Sequence, residues 1–455
     1  MHKFMILLLI VVVSALPAFA DDEPNSILFE ELVSVSEFGF AVTWYTTQPS
    51  ATELWVGITP WDMELEYSDN EATAAHHVEI DGLDPDSLFY FQVAGGGVEG
   101  KVTAVNTLPT PPGEFLFAFG QITDTHIGEE TAGLITIGPL TLTPGFTWDD
   151  PENPYWQFTN EAAVDELNER GVDFVIHKGD VTADADKWQY EAALEIFGNL
   201  DCPIHYARGN HDRIQHGEDY FMKVLGIDET DYYFDQDRMR FIIMDSNDED
   251  GMPRLTLDQK GWLHWAVEDS ARDNNRVMIF AHHSFNDDSM GIWSVPPNDA
   301  EIVQGTLSNY SKAFSGMFAG HSHRAHTGCA ERTGHTPYVE TPSTKEYPMG
   351  YVVTRVYQGG FSQTFYRTSC EECLEWNYMT AGEFFGLAPF FLFNKLWDRN
   401  FTYTYPEWED DDASDDGDEV ADDDDQTDED DDTVKAGSQN DGDGGESENE
   451  YELCG

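Results

Sequence analysis

The chain has 455 residues, and its 87 acidic and 23 basic side chains give a formal net charge of −64 at pH 7. This length predicts two or three domains, and the charge argues against nucleic-acid binding as the main role, because a polyanion would be repelled. Residues 407–455 hold 24 of the acids and one base, so the first 406 residues keep 63 acids against 22 bases and are strongly acidic themselves.

The first twenty residues have the pattern of a secretory signal peptide. An apolar run over residues 4–13 follows a short polar start, and Ala18-Phe19-Ala20 provides a small-x-small cleavage signal. The run is too short before Pro17 to span a membrane, which takes roughly 20 apolar residues. We therefore expect an exported protein that is periplasmic, secreted or at the cell surface, and that is not transmembrane after cleavage of residues 1–20.

Residues 25–109 have the pattern of an all-β domain. Alternating segments separated by turn residues are typical of an antiparallel β-sandwich. These segments are residues 40–46, 53–58, 76–80 and 88–93. Trp44 lies in the first of them and is expected in the core. The stretch 78–93 resembles the late strands and corner of a fibronectin type III domain, as found at the N terminus of purple acid phosphatases.

A proline-rich hinge over residues 108–113 ends this pattern, because proline supplies no amide donor and disfavours helix before it. Residues 113–360 then alternate apolar runs, typical of buried strands, with amphipathic helical patterns. The apolar runs are residues 115–122, 172–176, 204–206, 241–244, 277–281 and 317–319. The helical patterns are Ala163, Val164 and Leu167 with a stop at Gly171, the face Tyr190, Ala193, Leu194 and Phe197, and residues 257–271. This alternation predicts βαβ units and a layered α/β domain.

Five of the six predicted strand ends carry carboxylate, carboxamide or imidazole side chains. They are Asp124 and His126, Asp180, Asn210 with His211 and Asp212, His282 with His283, and His321 with His323. Ligand sites of open α/β sheets lie at the carboxyl ends of strands. We therefore expect these side chains to converge on one site.

The residue types predict a two-metal site. Asp124 and His126 are two residues apart, so in extended backbone their side chains leave on the same side and can share one ion. The carboxylate of Asp180 has two oxygens and is suited to bridge two ions. Asn210 offers a neutral oxygen, which limits the negative charge of a site that accepts phosphate. Nitrogen and oxygen ligands without thiolate favour Mn, Fe or Zn.

The ordered set Asp-x-His, Gly-Asp, Gly-Asn-His-Asp, His and Gly-His-x-His resembles the calcineurin-like metallophosphoesterases over about residues 114–357. The opening at residues 124–128 and the pair His282-His283 look most like the class III cyclic nucleotide phosphodiesterases. Where the purple acid phosphatases carry an iron-binding tyrosine, this chain has Ala183, so an iron-tyrosinate site is not expected. The resemblance implies an α/β fold, a layered β-sandwich core with helices on both faces, preceded by the all-β fibronectin type III-like sandwich.

The resemblance also implies two divalent or trivalent metal ions, Mn, Fe or Zn. It places the first ion on Asp124, His126, Asp180 and His323, and the second on Asp180, Asn210, His282 and His321. We prefer His282 over His283 as the ligand, because the family's ligand lies at the strand end with a second residue following. His283 is then expected to contact the substrate or to support a ligand.

The expected chemistry is in-line attack on phosphorus by a metal-bridging hydroxide. His211 is the expected general acid for the leaving oxygen, since the family uses that histidine so and since Asn210 and His211 would point oppositely in a strand. Asp212 is a candidate to orient His211. Candidates for contacts with phosphate oxygens are Arg208, Arg324 and His326.

The expected function is therefore an exported, metal-dependent hydrolase of small-molecule phosphate monoesters or diesters, with nucleotides among the candidate substrates. Two alternatives stay open. One is a surface binding or adhesion protein with a vestigial metal site, and the other is an exported phosphoprotein phosphatase. The loop of about thirty residues after His126 is predicted to be a lid or a substrate wall.

The last part of the chain has a different character. Residues 361–406 form a C-terminal extension, whose aromatic stretch over residues 384–397 is expected to pack against the enzyme domain. Cys370 and Cys373 are expected to form a structural disulfide, and the odd number of five cysteines predicts at least one that is unpaired or paired between chains. Residues 407–455 are expected to be a disordered acidic tail, with association with a cell surface as one role.

Overall fold

A computed structural model describes residues 24–134, 136–137, 140–286 and 294–407. The predicted signal peptide over residues 1–20 and the acidic tail beyond residue 407 lie outside these residues. Among the helices of the described ranges, none has the length and apolar character that crossing a membrane requires.

The N-terminal part is a six-stranded antiparallel sheet. Its strands are β1 (Ile27–Val35), β2 (Phe40–Thr59), β3 (Asp62–Ile80), β4 (Leu88–Gly95), β5 (Val98–Glu99) and β6 (Thr103–Asn106). The predicted turn between residues 46 and 53 is wrong, because the chain continues through irregular pairing as the single long strand β2. Strand β1 pairs with the first part of β2 and β4 pairs with its second part. Trp44 and Leu54 from the two parts share one buried core, so Trp44 is confirmed as a core residue.

The strands after residue 110 are short and mostly buried. They are β7 (Phe115–Ile122), β8 (Thr136–Ile137), β9 (Leu140–Thr141), β10 (Phe174–His177), β11 (Ile204–Tyr206), β12 (Tyr232–Gln236), β13 (Met239–Met244), β14 (Arg276–Ala281), β15 (Phe314–Ala319), β16 (His326–Cys329), β17 (Pro337–Glu340), β18 (Gly350–Tyr357), β19 (Gly360–Arg367) and β20 (Phe401–Thr404). All six apolar runs predicted as strands overlap one of them.

The helices are α1 (Tyr155–Arg170), α2 (Lys187–Phe197), α3 (Tyr220–Leu225), α4 (Leu257–Arg272), α5 (Pro297–Ser308), α6 (Glu371–Thr380) and α7 (Glu383–Gly386), with shorter helical turns at Glu331–Thr333, Pro389–Phe393 and Leu396–Asp398. Helix α1 ends at Gly171, whose positive φ of 62° suits glycine. The predicted apolar face of α2 is partly wrong. Leu194 is 41% exposed, and Ile196 takes its place in the core because the buried face of the helix runs through Tyr190, Ala193 and Ile196.

Two six-stranded sheets form the centre of the molecule, in the strand orders β11-β10-β7-β18-β19-β20 and β12-β13-β14-β15-β17-β16. They face each other across an aromatic layer, in which the ring of Phe119 lies 5.3 Å from that of Phe241 and 5.9 Å from that of Phe280. Helices α1 to α3 pack against the outer face of the first sheet, and α4 and α5 against that of the second. The predicted layered core with helices on both faces is confirmed.

Ion pairs and the C-terminal extension hold the N-terminal sheet against this core. The carboxylate of Glu31 accepts hydrogen bonds from Arg367 and from the hydroxyl of Tyr347. Strand β20 joins the edge of the first central sheet, and the expected disulfide between Cys370 and Cys373 is present at the start of α6. The extension is therefore packed against both parts. The expectation for its aromatic stretch is met only in part, because Leu392 and Phe393 are buried in a core cluster whereas Phe385, Phe390, Phe391 and Trp397 are 48–75% exposed.

Candidate metal centre

The candidate site lies where parallel strands of both central sheets end. Strands β7, β10 and β11 run parallel in the first sheet, and β13, β14, β15 and β17 run parallel in the second. The predicted ligands follow five of these strands directly. Because the carboxyl ends of all five strands meet at one edge of the sandwich, side chains that are up to 199 positions apart in the chain, from Asp124 to His323, come together.

The seven predicted ligands form one cluster. Nε2 of His282 lies 3.0 Å from Oδ1 of Asn210 and 3.2 Å from Oδ2 of Asp180. Nε2 of His323 lies 3.1 Å from Oδ1 of Asp124. Four overlapping groups have ligand atoms within 4.8 Å of one another: His282, His283 and His321; Asp124, His126 and His323; His126, Asp180 and His211; and Asp124, Asp180 and His282. Asp124, His126, Asp180 and His282 each belong to two groups, so the groups join into one continuous cluster.

The backbone at this cluster is strained. Asp124, His126, Asp180, His321 and His323 all have positive φ, between 40° and 65°. Non-glycine residues rarely adopt such values, which cost about 1–3 kcal/mol each and persist where the surrounding structure imposes them. Asp124 and His126 are close together as expected, but the expected reason, an extended strand that places both side chains on one side, is wrong. The two side chains converge because the loop turns at both residues.

Glycines allow the loops to approach closely. A Cβ atom on Gly209 would lie 2.0 Å from the backbone nitrogen of Asp180, and one on Gly320 would lie 2.6 Å from Oδ2 of Asp124. Neither contact is possible for a larger residue without moving a loop. Gly209, which precedes Asn210, and Gly320, which precedes His321, are thus part of the site.

The donor atoms fit metal ions. His126 is 4% exposed, and neither of its ring nitrogens has a hydrogen-bond partner among the described residues. Burial lowers the pKa of His126, which keeps the imidazole neutral, as metal binding requires. Burial also opposes protonation of His282, but the carboxylates of Asp180 and Asp124 raise its pKa to about 9. The donor set contains only nitrogen and oxygen atoms and includes two buried carboxylates, which suits Mn, Fe or Zn.

His211 lies beside this cluster and is partly exposed. Its Nδ1 donates a hydrogen bond to the carbonyl oxygen of Ala183 at 2.6 Å, and its ring lies 4.6 Å from that of His126. The argument that Asn210 and His211 point oppositely does not apply, because β11 ends at Tyr206 and both residues lie in a loop. The ring is oriented by a carbonyl, which leaves Nε2 available for proton transfer.

Asp212 does not orient His211. Its carboxylate accepts hydrogen bonds from the backbone amides of Val181, Thr182 and Gly209, and from the hydroxyls of Thr182 and Tyr190. The prediction was wrong because sequence proximity to His211 says nothing about side-chain direction in a loop. Asp212 instead ties the loop that carries Asp180 to the loop that carries Asn210.

The three candidates for phosphate contacts have other partners. Arg208 pairs with Asp219 at 2.5 Å and stacks on Phe221. Arg324 pairs with Glu340 at 2.8 Å. Nδ1 of His326 lies 3.8 Å from a carboxylate oxygen of Asp398. These side chains have structural partners, and the structure gives no support to their predicted role.

His283 is fully buried beside the cluster. Its Nδ1 hydrogen-bonds to Oγ of Ser246, which follows β13, at 3.0 Å, while its Nε2 has no partner among the described residues. His282, by contrast, points Nδ1 at the carbonyl of Lys178 and Nε2 at the carboxylate and carboxamide oxygens. Both histidines belong to one group of candidate ligands, so the choice of His282 over His283 stays a prediction.

Sequence reasoning missed Glu346 and Lys345, which lie behind the cluster. Oε1 of Glu346 is 2.5 Å from Nδ1 of His323. Both residues follow β17, a four-residue strand that opens with Pro337 and carries too short an apolar run to be recognised. The signal that could have revealed them is the one used at the other strands, which is polar residues that follow a strand.

The long loop after His126 packs against α1 and α6. Its described residues include the hairpin β8–β9 and an isolated bridge between Ala132 and Phe146. The ring of Trp148 packs on Phe158 of α1 and Trp376 of α6. The role of this loop as a lid or substrate wall stays a prediction.

Comparison with known proteins agrees with this site. The model of the calcineurin-like phosphoesterase family matches residues 117–325, which include all seven predicted ligands and His211. No curated protein matches the chain significantly.

Among solved structures, the chain is similar to a dimetal phosphatase from Danio rerio, with 15% identity, 55% of this chain and 96% of that chain covered, and a TM-score of 0.44. It is also similar to a purple acid phosphatase from yellow lupin (Lupinus luteus) seeds, with 12% identity, 76% and 73% covered, and a TM-score of 0.39. A third similarity is to a human fibronectin type III domain, with 20% identity, 19% and 86% covered, and a TM-score of 0.16. Residues 117–325 match the calcineurin-like phosphoesterase family, and on this match the chain is a metal-dependent phosphoesterase.

Proposed function

We propose that the chain is an exported dinuclear-metal hydrolase of small phosphate esters, in which His211 protonates the leaving oxygen. The observation that carries this proposal is the convergence of the seven predicted ligands and His211 at one strained, buried cluster. Two cations bound there would supply a nucleophile at neutral pH and stabilise the phosphoryl oxygens. Since every motif position is present in the cluster, the geometry favours a working enzyme over a binding protein with a vestigial site.

The surroundings of His211 support a role as general acid. The carbonyl of Ala183 fixes the ring through Nδ1, and the backbone amide of His211 donates to Oδ1 of Asp180 at 2.7 Å. The ring is thereby held beside the residue expected to bridge the two ions, with Nε2 available to a leaving group. A positioned general acid contributes about 10²–10⁴-fold to the rate.

The experiment is a substrate panel with the wild-type protein and His211→Gln. The panel contains bis(p-nitrophenyl) phosphate, p-nitrophenyl phosphate, a cyclic nucleotide, a nucleoside monophosphate and a phosphoserine peptide. Alkoxide leaving groups need a proton more than nitrophenolate does. We therefore expect His211→Gln to slow the hydrolysis of preferred alkyl esters by about 10²–10⁴-fold and that of nitrophenyl esters less.

The matched control is His216→Asn, an exposed histidine of the same loop, whose positive φ of 52° asparagine also adopts. It should leave both rates unchanged. Metal content, measured by elemental analysis, should be the same in all three proteins. Equal rates for wild type and His211→Gln on alkyl esters would contradict the general-acid role, and hydrolysis of the phosphopeptide alone would favour a phosphoprotein phosphatase.

Export is the remaining part of the proposal. It is supported by the apolar run over residues 4–13 and by the cleavage signal Ala18-Phe19-Ala20. Mass spectrometry of the mature protein should find an N terminus near Asp21. An intact N terminus in the functional protein would contradict export by this route.

A further inference from the structure

Glu346 lies directly behind one predicted ligand. Its side chain is 3% exposed, and Oε1 is 2.5 Å from Nδ1 of His323. The other ring nitrogen of His323, Nε2, is 3.1 Å from Oδ1 of Asp124 and faces the cluster. A carboxylate therefore holds the imidazole through Nδ1, and Nε2 points to where the first ion is expected.

The second predicted histidine of the same ion also has a glutamate near its Nδ1, but at a distance too long for a hydrogen bond. Oε1 of Glu129 lies 3.8 Å from Nδ1 of His126. Lys345 joins the two glutamates, because its ammonium contacts Oε2 of Glu346 at 2.9 Å and also pairs with Glu129. Lys345 is 2% exposed, so one buried ammonium pairs with both carboxylates.

The C-terminal extension holds this network in place. The indole Nε1 of Trp376 donates to the backbone carbonyl of Lys345 at 2.7 Å, and the backbone amide of Tyr347 donates to Oγ1 of Thr380 at 3.0 Å. All four residues that form these two hydrogen bonds are buried. The segment that carries Glu346 is thus fixed on both sides by α6.

We propose that Glu346 is a positioning residue that holds His323 with its proton on Nδ1, so that Nε2 is free to bind the first ion. Lys345 and α6 hold Glu346 in turn. The proposal rests on the proposed dinuclear function. A carboxylate behind a metal-bound histidine fixes the ring and its tautomer and makes it a better ligand, and loss of such a partner typically weakens metal binding by about 10–100-fold.

Glu346→Gln tests this directly. Lys345 requires an oxygen, so the carboxamide turns its oxygen to the ammonium and its NH₂ to His323. The NH₂ donates to Nδ1 and favours the tautomer with a proton on Nε2, which cannot bind an ion. We expect the affinity for one of two Mn²⁺ ions, measured by equilibrium dialysis with elemental analysis, to fall by about 10–100-fold.

A double-mutant cycle shows whether Glu346 acts through His323. In a His323→Ala background, Glu346 has no imidazole to hold, so Glu346→Gln should change the Mn²⁺ affinity by less than about twofold. A change of that size is within the usual scatter of double-mutant cycles. The control is Glu37→Gln, a fully buried glutamate that accepts hydrogen bonds from Tyr357 and Ser362, and it should not alter Mn²⁺ binding. Thermal unfolding of the metal-free variants confirms that each is folded.

The outcomes separate the two proposals. A wild-type protein that binds fewer than two ions would overturn the dinuclear function itself. A wild-type protein that binds two ions, with unchanged affinity in Glu346→Gln, would overturn the role of Glu346. An equal loss in the wild-type and His323→Ala backgrounds would also overturn it, because Glu346 would then act independently of His323.

Discussion

Asp212→Asn tests whether a buried carboxylate holds the two loops of the metal centre together. Oδ2 of Asp212 accepts from the backbone amides of Val181 and Gly209, at 3.0 and 3.1 Å. Oδ1 accepts from the amide and hydroxyl of Thr182 and from the hydroxyl of Tyr190, all at 3.1 Å. Asp212 is 0% exposed, so water cannot replace these bonds.

Asparagine keeps one acceptor oxygen and replaces the other with an NH₂ group. With the oxygen in the position that receives three bonds, the amides of Val181 and Gly209 face a donor and lose their partner. Each unsatisfied buried donor costs about 1–3 kcal/mol, so the free energy of unfolding should fall by about 2–6 kcal/mol. This is a large part of the 5–15 kcal/mol that is typical of folded domains.

The assay is urea unfolding of metal-free protein, compared through the midpoint of the transition. The control is Asp237→Asn, an exposed turn residue with a positive φ of 50°, which asparagine tolerates. Its effect should lie within about 0.5 kcal/mol. If Asp212→Asn shifts the midpoint no more than Asp237→Asn does, the five hydrogen bonds do not carry the stability assigned to them.

Two further predictions concern pH and metal removal. Burial lowers the pKa of His76 from 6.5 to about 4, and the unfolded chain takes up a proton that the folded chain excludes. The free energy of unfolding should therefore be unaffected by His76 above about pH 6.5 and should fall by up to ~3 kcal/mol as the pH drops from about 6.5 to 4. Urea midpoints at pH 7 and pH 5 should differ less in His76→Gln than in the wild type, and equal differences would refute the linkage. Dialysis against a chelator should abolish phosphoesterase activity, and Mn, Zn or Fe should restore it; full activity in protein shown to be metal-free would contradict the account.

The candidate site was largely predictable because most of its residues directly follow apolar runs that can be recognised in the sequence. Asp124, Asp180 and His282 each follow an apolar run, and the rule that ligands lie at the carboxyl ends of strands needs only the run and the residue after it. The layered core followed from the same runs. Their burial on both faces removes the alternation that would mark an exposed sheet.

The parts that could not be predicted depend on contacts distant in sequence. Asp212 is next to His211 in the chain, but two of its partners, Val181 and Thr182, come from a loop about 30 positions earlier. Glu346 contacts His323 from the loop after β17, a strand whose four residues give no periodic signal. Ile196 replaces Leu194 in the core, because a rotation of one helix by a fraction of a turn changes which side chain is buried.

The central claim is that two metal ions bind among these side chains, and anomalous diffraction tests it most directly. Crystals grown with Mn²⁺ are measured just above the manganese absorption edge. The account predicts two anomalous peaks, one among Asp124, His126, Asp180 and His323 and the other among Asp180, Asn210, His282 and His321. No peak in this cluster, or a peak at only one of the two positions under saturating Mn²⁺, would contradict it.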